Sequence, residues 1–254
     1  MSVTWDIISG TWDALGTSSG GIANENSTFI VLVNNVLRRL NEVQISNDTQ
    51  FLNVTGFHAH AKDAVNNAVR DLNAEEFQWP FNHVIQRVTL APGTTRYPFP
   101  ANMKVVDFDT FRIVRNDAIG ISGRYLPSLK YEDYIRYYRD KDLNYNVSDY
   151  SIPKWVFRTQ DNMLGITPPP DKAYTIEYEY WRQPGTMTLP TDTTTVPQPY
   201  EYVIEEGAMK YLYMFRENLE AAQLADANFR AGIKNMRVML INRDVNVTST
   251  YIQR

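Results

Sequence analysis

The chain contains no cysteine. Disulfide staples, thiolate metal sites and cysteine nucleophiles are therefore excluded, whatever the fold. Long apolar runs are missing too. The longest, Phe29–Val33 and Tyr211–Phe215, fall far short of the ~20 residues a membrane span requires, so no membrane partner is expected. Met1 to Asp6 lacks the basic stretch and apolar core of a secretory signal, which predicts a product that is cytosolic when made. Triplets such as Asn53-Val54-Thr55 then carry no glycosylation meaning. Basic clusters are equally scarce. Beyond Arg38-Arg39 the lysines and arginines are scattered, and the net charge is −4. That balance argues against a surface that grips nucleic acid by neutralising many phosphates. It leaves room for a passage through which DNA slides, because weak attraction or repulsion suits such a wall.

Motifs that carry chemistry are also few. Only three histidines occur. His58 and His60 stand two apart, a spacing that does not share one helical face, and no third ligand is near them in sequence. His83 sits in a strand-like run without a serine or acid motif. Glu75-Glu76 and Glu205-Glu206 are adjacent carboxylates that diverge by about 100° on a helix, so neither pair is poised as a hydrolytic dyad. The run Gly16 to Gly21 lacks the lysine of a phosphate loop and follows no strand, and Gly120-Ile121-Ser122-Gly123 reads as an ordinary loop. No catalytic residue, metal or cofactor is expected.

What is present suits a large core and broad contacts. Apolar residues make up 43% and charged residues 21%, ordinary values for a globular chain. Sixteen tyrosines, eleven phenylalanines and five tryptophans would serve protein–protein interfaces or a β-rich core equally well.

Periodicity predicts an α+β fold: a bundle of about four helices with an antiparallel β-rich insertion and extended terminal arms. Residues 1–26 read as an N-terminal arm in which Trp5 and Trp12, each within a Thr-Trp-Asp triplet, need something to dock on. The bundle draws on residues 27–76 and 197–242. Its first helix places Phe29, Leu32, Val33, Val36, Leu37, Leu40 and Val43 on one stripe, with Ser27 or Thr28 as cap. The second, from about Gly56 to Asn73, carries the small stripe Ala61, Ala64, Val65, Ala68, Val69 and Leu72. Residues 77–196 form the insertion, with strands expected at His83–Leu90, Thr94–Phe99, Val105–Val114, Lys154–Thr159, Met163–Thr167 and Tyr174–Arg182. Within it Tyr131 to Leu143 is a short tyrosine-rich helix. Pro197 and Pro199 announce a helix over Tyr200 to Asn218, and another follows from about Leu219 to Asn242. In the C-terminal arm, residues 243–254, Val245, Val247, Ser249 and Tyr251 alternate with Asn246, Thr248 and Thr250. An extended segment of this kind can add a strand to a partner.

The C-terminal half holds a recognisable order. Tyr178-Glu179-Tyr180-Trp181-Arg182-Gln183-Pro184 ends a strand, and Pro199-Tyr200-Glu201-Tyr202-Val203-Ile204-Glu205-Glu206-Gly207-Ala208 opens a helix. Tyr211-Leu212-Tyr213, Asn218-Leu219-Glu220-Ala221-Ala222 and Phe229-Arg230-Ala231-Gly232-Ile233 follow. With Val36-Leu37-Arg38-Arg39-Leu40-Asn41 and Trp79-Pro80-Phe81, this order resembles the head-to-tail adaptors of tailed bacteriophages, the tail tubular protein A-like ring beneath the portal.

The resemblance implies a non-enzymatic virion protein at the head–tail junction. It implies a homo-oligomeric ring, a dodecamer, with the portal protein and a tail or nozzle protein as partners and with DNA passing through its lumen unread. Its attachment residues would be Val245, Val247, Ser249, Tyr251 and Ile252 of the arm. Contacts between subunits would fall to Tyr134, Tyr137, Tyr138, Tyr145, Trp5 and Trp12. Another neck or tail component, a stopper or tube subunit, is the structural alternative; a tail-associated peptidoglycan hydrolase is the enzymatic one.

Overall fold

The computed structural model describes residues 26–76, 78–117, 120–140 and 149–241. It combines helices with antiparallel sheets, an α+β fold as expected. Among the described residues the α-helices are α1 (Phe29–Arg39), α2 (Asp48–Leu52), α3 (Phe57–Glu75), α4 (Tyr131–Tyr137), α5 (Glu201–Phe215) and α6 (Leu219–Met236). The described strands are β1 (His83–Thr89), β2 (Arg96–Pro98), β3 (Met103–Ile113), β4 (Arg124–Tyr125), β5 (Trp155–Arg158), β6 (Met163–Thr167) and β7 (Thr175–Arg182).

Helices α1, α3, α5 and α6, with Phe51 of α2, build one core. The stripe of α1 buries Phe29, Leu32, Val33, Val36 and Leu37, each such side chain stabilising the fold by ~1.5–3 kcal/mol on full burial. Two details of α1 depart from the sequence expectation. Its start is not capped by the Thr28 side chain. Instead the free N–H groups of Phe29 and Ile30 donate to the carbonyls of Asp192 and Pro190, at 2.7 and 3.2 Å. A loop some 160 residues later in the chain thus does the work of a cap, which local spacing could not reveal. The helix also stops at Arg39, and Val43 lies outside it with 74% of its surface exposed.

The short α2 was invisible to periodicity because it spans barely one turn. Asn47 starts it by accepting from the Gln50 N–H, while the Gln50 side chain accepts from Ser46 N–H. That reciprocal pair resembles a capping box.

At the centre of the bundle lies α5, between α1, α3 and α6, with Val203, Ile204, Gly207, Ala208, Met209 and Leu212 buried. The α5–α6 turn runs through Glu217, whose φ is 58°, and Asn218 caps α6 by accepting from Ala221 N–H at 3.1 Å. Past Met236 the helix widens into a π-turn at Arg237–Ile241.

The strands form two sheets, ordered β1-β7-β3-β4 and β2-β6-β5. Their facing sides share a second core of Leu90, Phe111, Ile113, Leu126, Val156, Leu164, Ile166, Tyr174, Ile176, Tyr178 and Tyr180. The Phe111 and Tyr178 rings stack at 4.6 Å, and Phe108 stacks on Phe111 at 5.4 Å. Between Asp107 and Arg112 the pairing of β3 with β7 slips. Thr110 bridges the slip, its hydroxyl donating to the Asp107 carbonyl and accepting from Glu179 N–H. The two-residue β4 was not foreseen; it follows the loop read at Gly120–Gly123.

A buried polar joint ties the two cores together. Asn82 donates to the Asn73 side chain at 2.6 Å and accepts from the Thr195 hydroxyl at 2.8 Å. Trp79 donates its indole N–H to the Leu72 carbonyl at 3.0 Å. Trp79, Met187 and Val196 pack in the helical core, although all three lie between residues 77 and 196.

Candidate assembly surfaces

Of the residues singled out in the sequence, Trp5, Trp12, Tyr145, Val245, Val247, Ser249, Tyr251 and Ile252 lie outside the described residues. The three tyrosines around α4 are described, and they separate. Tyr134 is 4% exposed and stacks on Phe157 at 4.1 Å. Arg96 covers the pair, its guanidinium carbon 4.9 Å from the Tyr134 ring and 4.8 Å from that of Phe157. Phe157 itself lies over Gly165, its direct partner on β6, where any Cβ would collide with the ring. Tyr134 therefore moves from the expected contact surface into the chain's own packing, because its face of α4 is the one turned to β5. Tyr137 stays 59% exposed and Tyr138 half-buried. Both keep area for a neighbour.

One side of the four-stranded sheet faces the second core and the other carries charge. Cross-strand register aligns Arg87, Glu177 and Arg112 in one row, with Tyr125 beside Arg112. Glu177 receives the Arg87 Nε–H at 2.6 Å and the Arg112 Nε–H at 2.9 Å. The two guanidiniums hold its carboxyl below the usual glutamate range. Both arginines remain mostly exposed, and Glu177 is nearly covered beneath them. In the next rows His83 contacts Glu179 at 2.8 Å, and Ile85 is 57% exposed. The alternation of β7 was legible; its arginine clamp was not, since it needs a register between strands some 90 residues apart.

At the far end of the bundle the α5–α6 hairpin presents Met214, Phe215, Leu219 and Leu224 to solvent. A depression of ≈ 490 Å³ beside it is lined by Lys210, Met214, Leu219, Ala222, Asp226 and Arg230. A second, more polar cleft of ≈ 530 Å³ lies between α3 and residues 183–186, lined by Asp63, Asn66, Arg70 and Gln183 among others. Asn66 fixes its wall by bonding both the N–H and the carbonyl of Met187, each at 3.0 Å.

The carboxylates weighed as catalytic candidates are engaged in packing. Arg39 pairs with both Glu206 and Glu205, and Asn35 donates to Glu205 at 2.8 Å. Arg237 lies 3.5 Å from Glu75 and 3.3 Å from Glu76. His58 sits 2.8 Å from the Val43 carbonyl, and His60 packs on the Phe215 ring at 4.3 Å. Among the described residues no group of three His, Asp or Glu could hold a metal ion. No described helix is long and apolar enough to cross a membrane. Burial, helped by Asp71, raises the Tyr211 hydroxyl to about 12, and burial raises that of Tyr178 to about 12. These shifts belong to core phenols.

A family model described as SU10 adaptor protein matches residues 27–251. The chain belongs to that family, a phage adaptor family, and its role is that of a structural adaptor component of the virion. No curated protein matches it.

Proposed function

We propose that this adaptor is one subunit of a closed ring, of the tail tubular protein A-like type and twelve subunits in all. In this reading the ring docks beneath the portal protein at the head–tail junction and carries the tail or its nozzle protein below. Its lumen passes the DNA without reading it. The carrying observation is the extent of the family match, which runs through both pairs of bundle helices and the inserted sheets up to residue 251.

Physical features support the reading. A head-to-tail ring repeats one interface between two different patches, so each subunit needs two unlike surfaces. The apolar hairpin end around Leu219 and Leu224 and the arginine-clamped sheet face are two such surfaces. Tyr137 and Tyr138 offer further contact area. The net charge of −4 disfavours tight phosphate binding and favours a lumen that lets DNA move.

The test is electron microscopy of the full chain co-expressed with its portal protein. A ring of density beneath the portal, with twelve-fold averaging, is the expected result. Portal particles without added density would overturn the reading.

A further inference from the structure

Among the described residues no strand pairs with the outer edge of β1. Leu90 N–H bonds the Tyr174 carbonyl directly opposite at 2.7 Å, and Val114 N–H takes the Thr175 carbonyl on the other side of β7. Antiparallel pairing alternates, so Val84, Gln86 and Val88 bond β7. His83, Ile85, Arg87 and Thr89 then turn their N–H and carbonyl groups outward. Among the described residues that edge is met by the Pro80 carbonyl, which accepts from His83 N–H, and by the Gln86 side chain, which donates to the Arg87 carbonyl at 3.1 Å. At the opposite side of the sheet β4 covers only Arg112 and Ile113 of β3, and the rest of β3 is broken by two register shifts; the remaining edge strands are short or covered. β4 has two residues and β2 three, while β5 is bridged by residues 127–129. A seven-residue edge without proline or lysine lacks the usual protections against strand pairing.

Resting on the ring reading above, we propose that the open edge of β1 receives residues 245–252 of a neighbouring copy of this chain as an added strand. Three observations select that occupant. The first is length: Val245–Ile252 is eight residues against the seven of β1. The second is side-chain match. On the core side of β1, Val84 and Val88 are half-buried at the margin of the second core. Val245, Val247 and Tyr251 would extend that row, while Asn246, Thr248 and Thr250 would lie beside Ile85, Arg87 and Thr89 on the solvent side. The third is where the donor leaves. Arg237 is bound to the Glu75 carbonyl and to Glu76 at the end of α3, seven residues before His83. The last described turn before the donor is thus held at the end of α3, from which the chain leads into β1.

The absence of native cysteine makes the test direct. Full-length chain carrying Ile85→Cys plus one cysteine at Asn246, Thr248 or Thr250 is assembled on the portal and treated with a short bismaleimide. The three pairs cover the registers of a two-residue slip. The expected result is a denaturing-gel ladder of adaptor dimers, trimers and higher species in at least one pair. Each single-cysteine control should lose the species above a dimer. Rings that assemble but give no ladder with any pair overturn the inference and leave the ring reading standing. Monomer that runs as an internally linked loop, or a link to the portal protein, likewise overturns it. Failure to form any ring overturns both.

Discussion

Gly207 meets Ala68 where α5 crosses α3, and the space between them is closed to a methyl group. A Cβ on Gly207 would lie 2.9 Å from the Ala68 Cβ and 2.9 Å from the Phe229 ring. The small stripe of α3, Ala61, Ala64 and Ala68, is what permits the approach. Gly207→Ala gains up to ~1 kcal/mol of helix propensity, but overpacking costs about 1–3 kcal/mol. The overlap involves the Ala68 Cβ, which has no rotamer to give way, and a packed ring, so the cost wins. Urea unfolding of Gly207→Ala should show a lower midpoint at an unchanged slope, and Gly207→Val a larger loss. A midpoint at or above that of the parent would show that the helices can separate freely.

Tyr134 and Tyr137 lie three residues apart on α4 and answer to different measurements. Tyr134 is packed between Phe157 and Arg96, so Tyr134→Ala should cost about 3–5 kcal/mol, the range for deleting a buried aromatic. Tyr137 is mostly exposed, so Tyr137→Ala should leave stability within about 0.5 kcal/mol. Its effect, if it contacts a neighbour, belongs to ring formation. Thermal unfolding and portal co-assembly, run on both variants, separate the two roles.

Glu177 gives a pH signature. Its carboxyl is held low by hydrogen bonds from Arg112 and Arg87, so the ionised form is favoured in the folded chain. The stability it contributes is complete above the unfolded glutamate pKa and is lost as pH falls through the depressed folded value. Glu177→Gln should therefore be less stable than the parent at neutral pH. The gap should narrow as pH drops below the ordinary glutamate range. Chemical denaturation at stepped pH measures it, and a gap independent of pH would remove the clamp as the cause.

Much of the fold was legible because its signals are local. The stripes of α1 and α3, the alternation of β7 and the prolines before α5 each write their element into neighbouring residues. What was lost depends on contacts distant in sequence. The cap of α1 comes from Pro190 and Asp192, and the clamp on Glu177 comes from Arg87 and Arg112. Tyr134 shows the same limit within the site. Spacing put it on an amphipathic helix, but only the position of β5 decided that its ring would be consumed internally. The open edge of β1 was hidden for a related reason, since a strand does not announce which of its sides will find a partner.

The arm supplies a last prediction. In the ring reading the arm works in assembly, while α6 is anchored in the helical core by Phe229, Ile233 and Met236. Deleting residues 243–254 should therefore leave the unfolding midpoint and the far-ultraviolet circular dichroism of the isolated chain unchanged. Attachment is where the deletion should be felt. An arm that docks as a strand adds main-chain hydrogen bonds and apolar contacts to the assembly, so its loss weakens the assembly first. Co-purification of the truncated chain with portal protein should fall sharply relative to the full chain. Restoring Val245, Val247 and Tyr251 in an otherwise serine-substituted arm should recover more of it than restoring Asn246, Thr248 and Thr250. Equal recovery by the two sets would mean that the arm acts as a tether, with no side of it specifically buried.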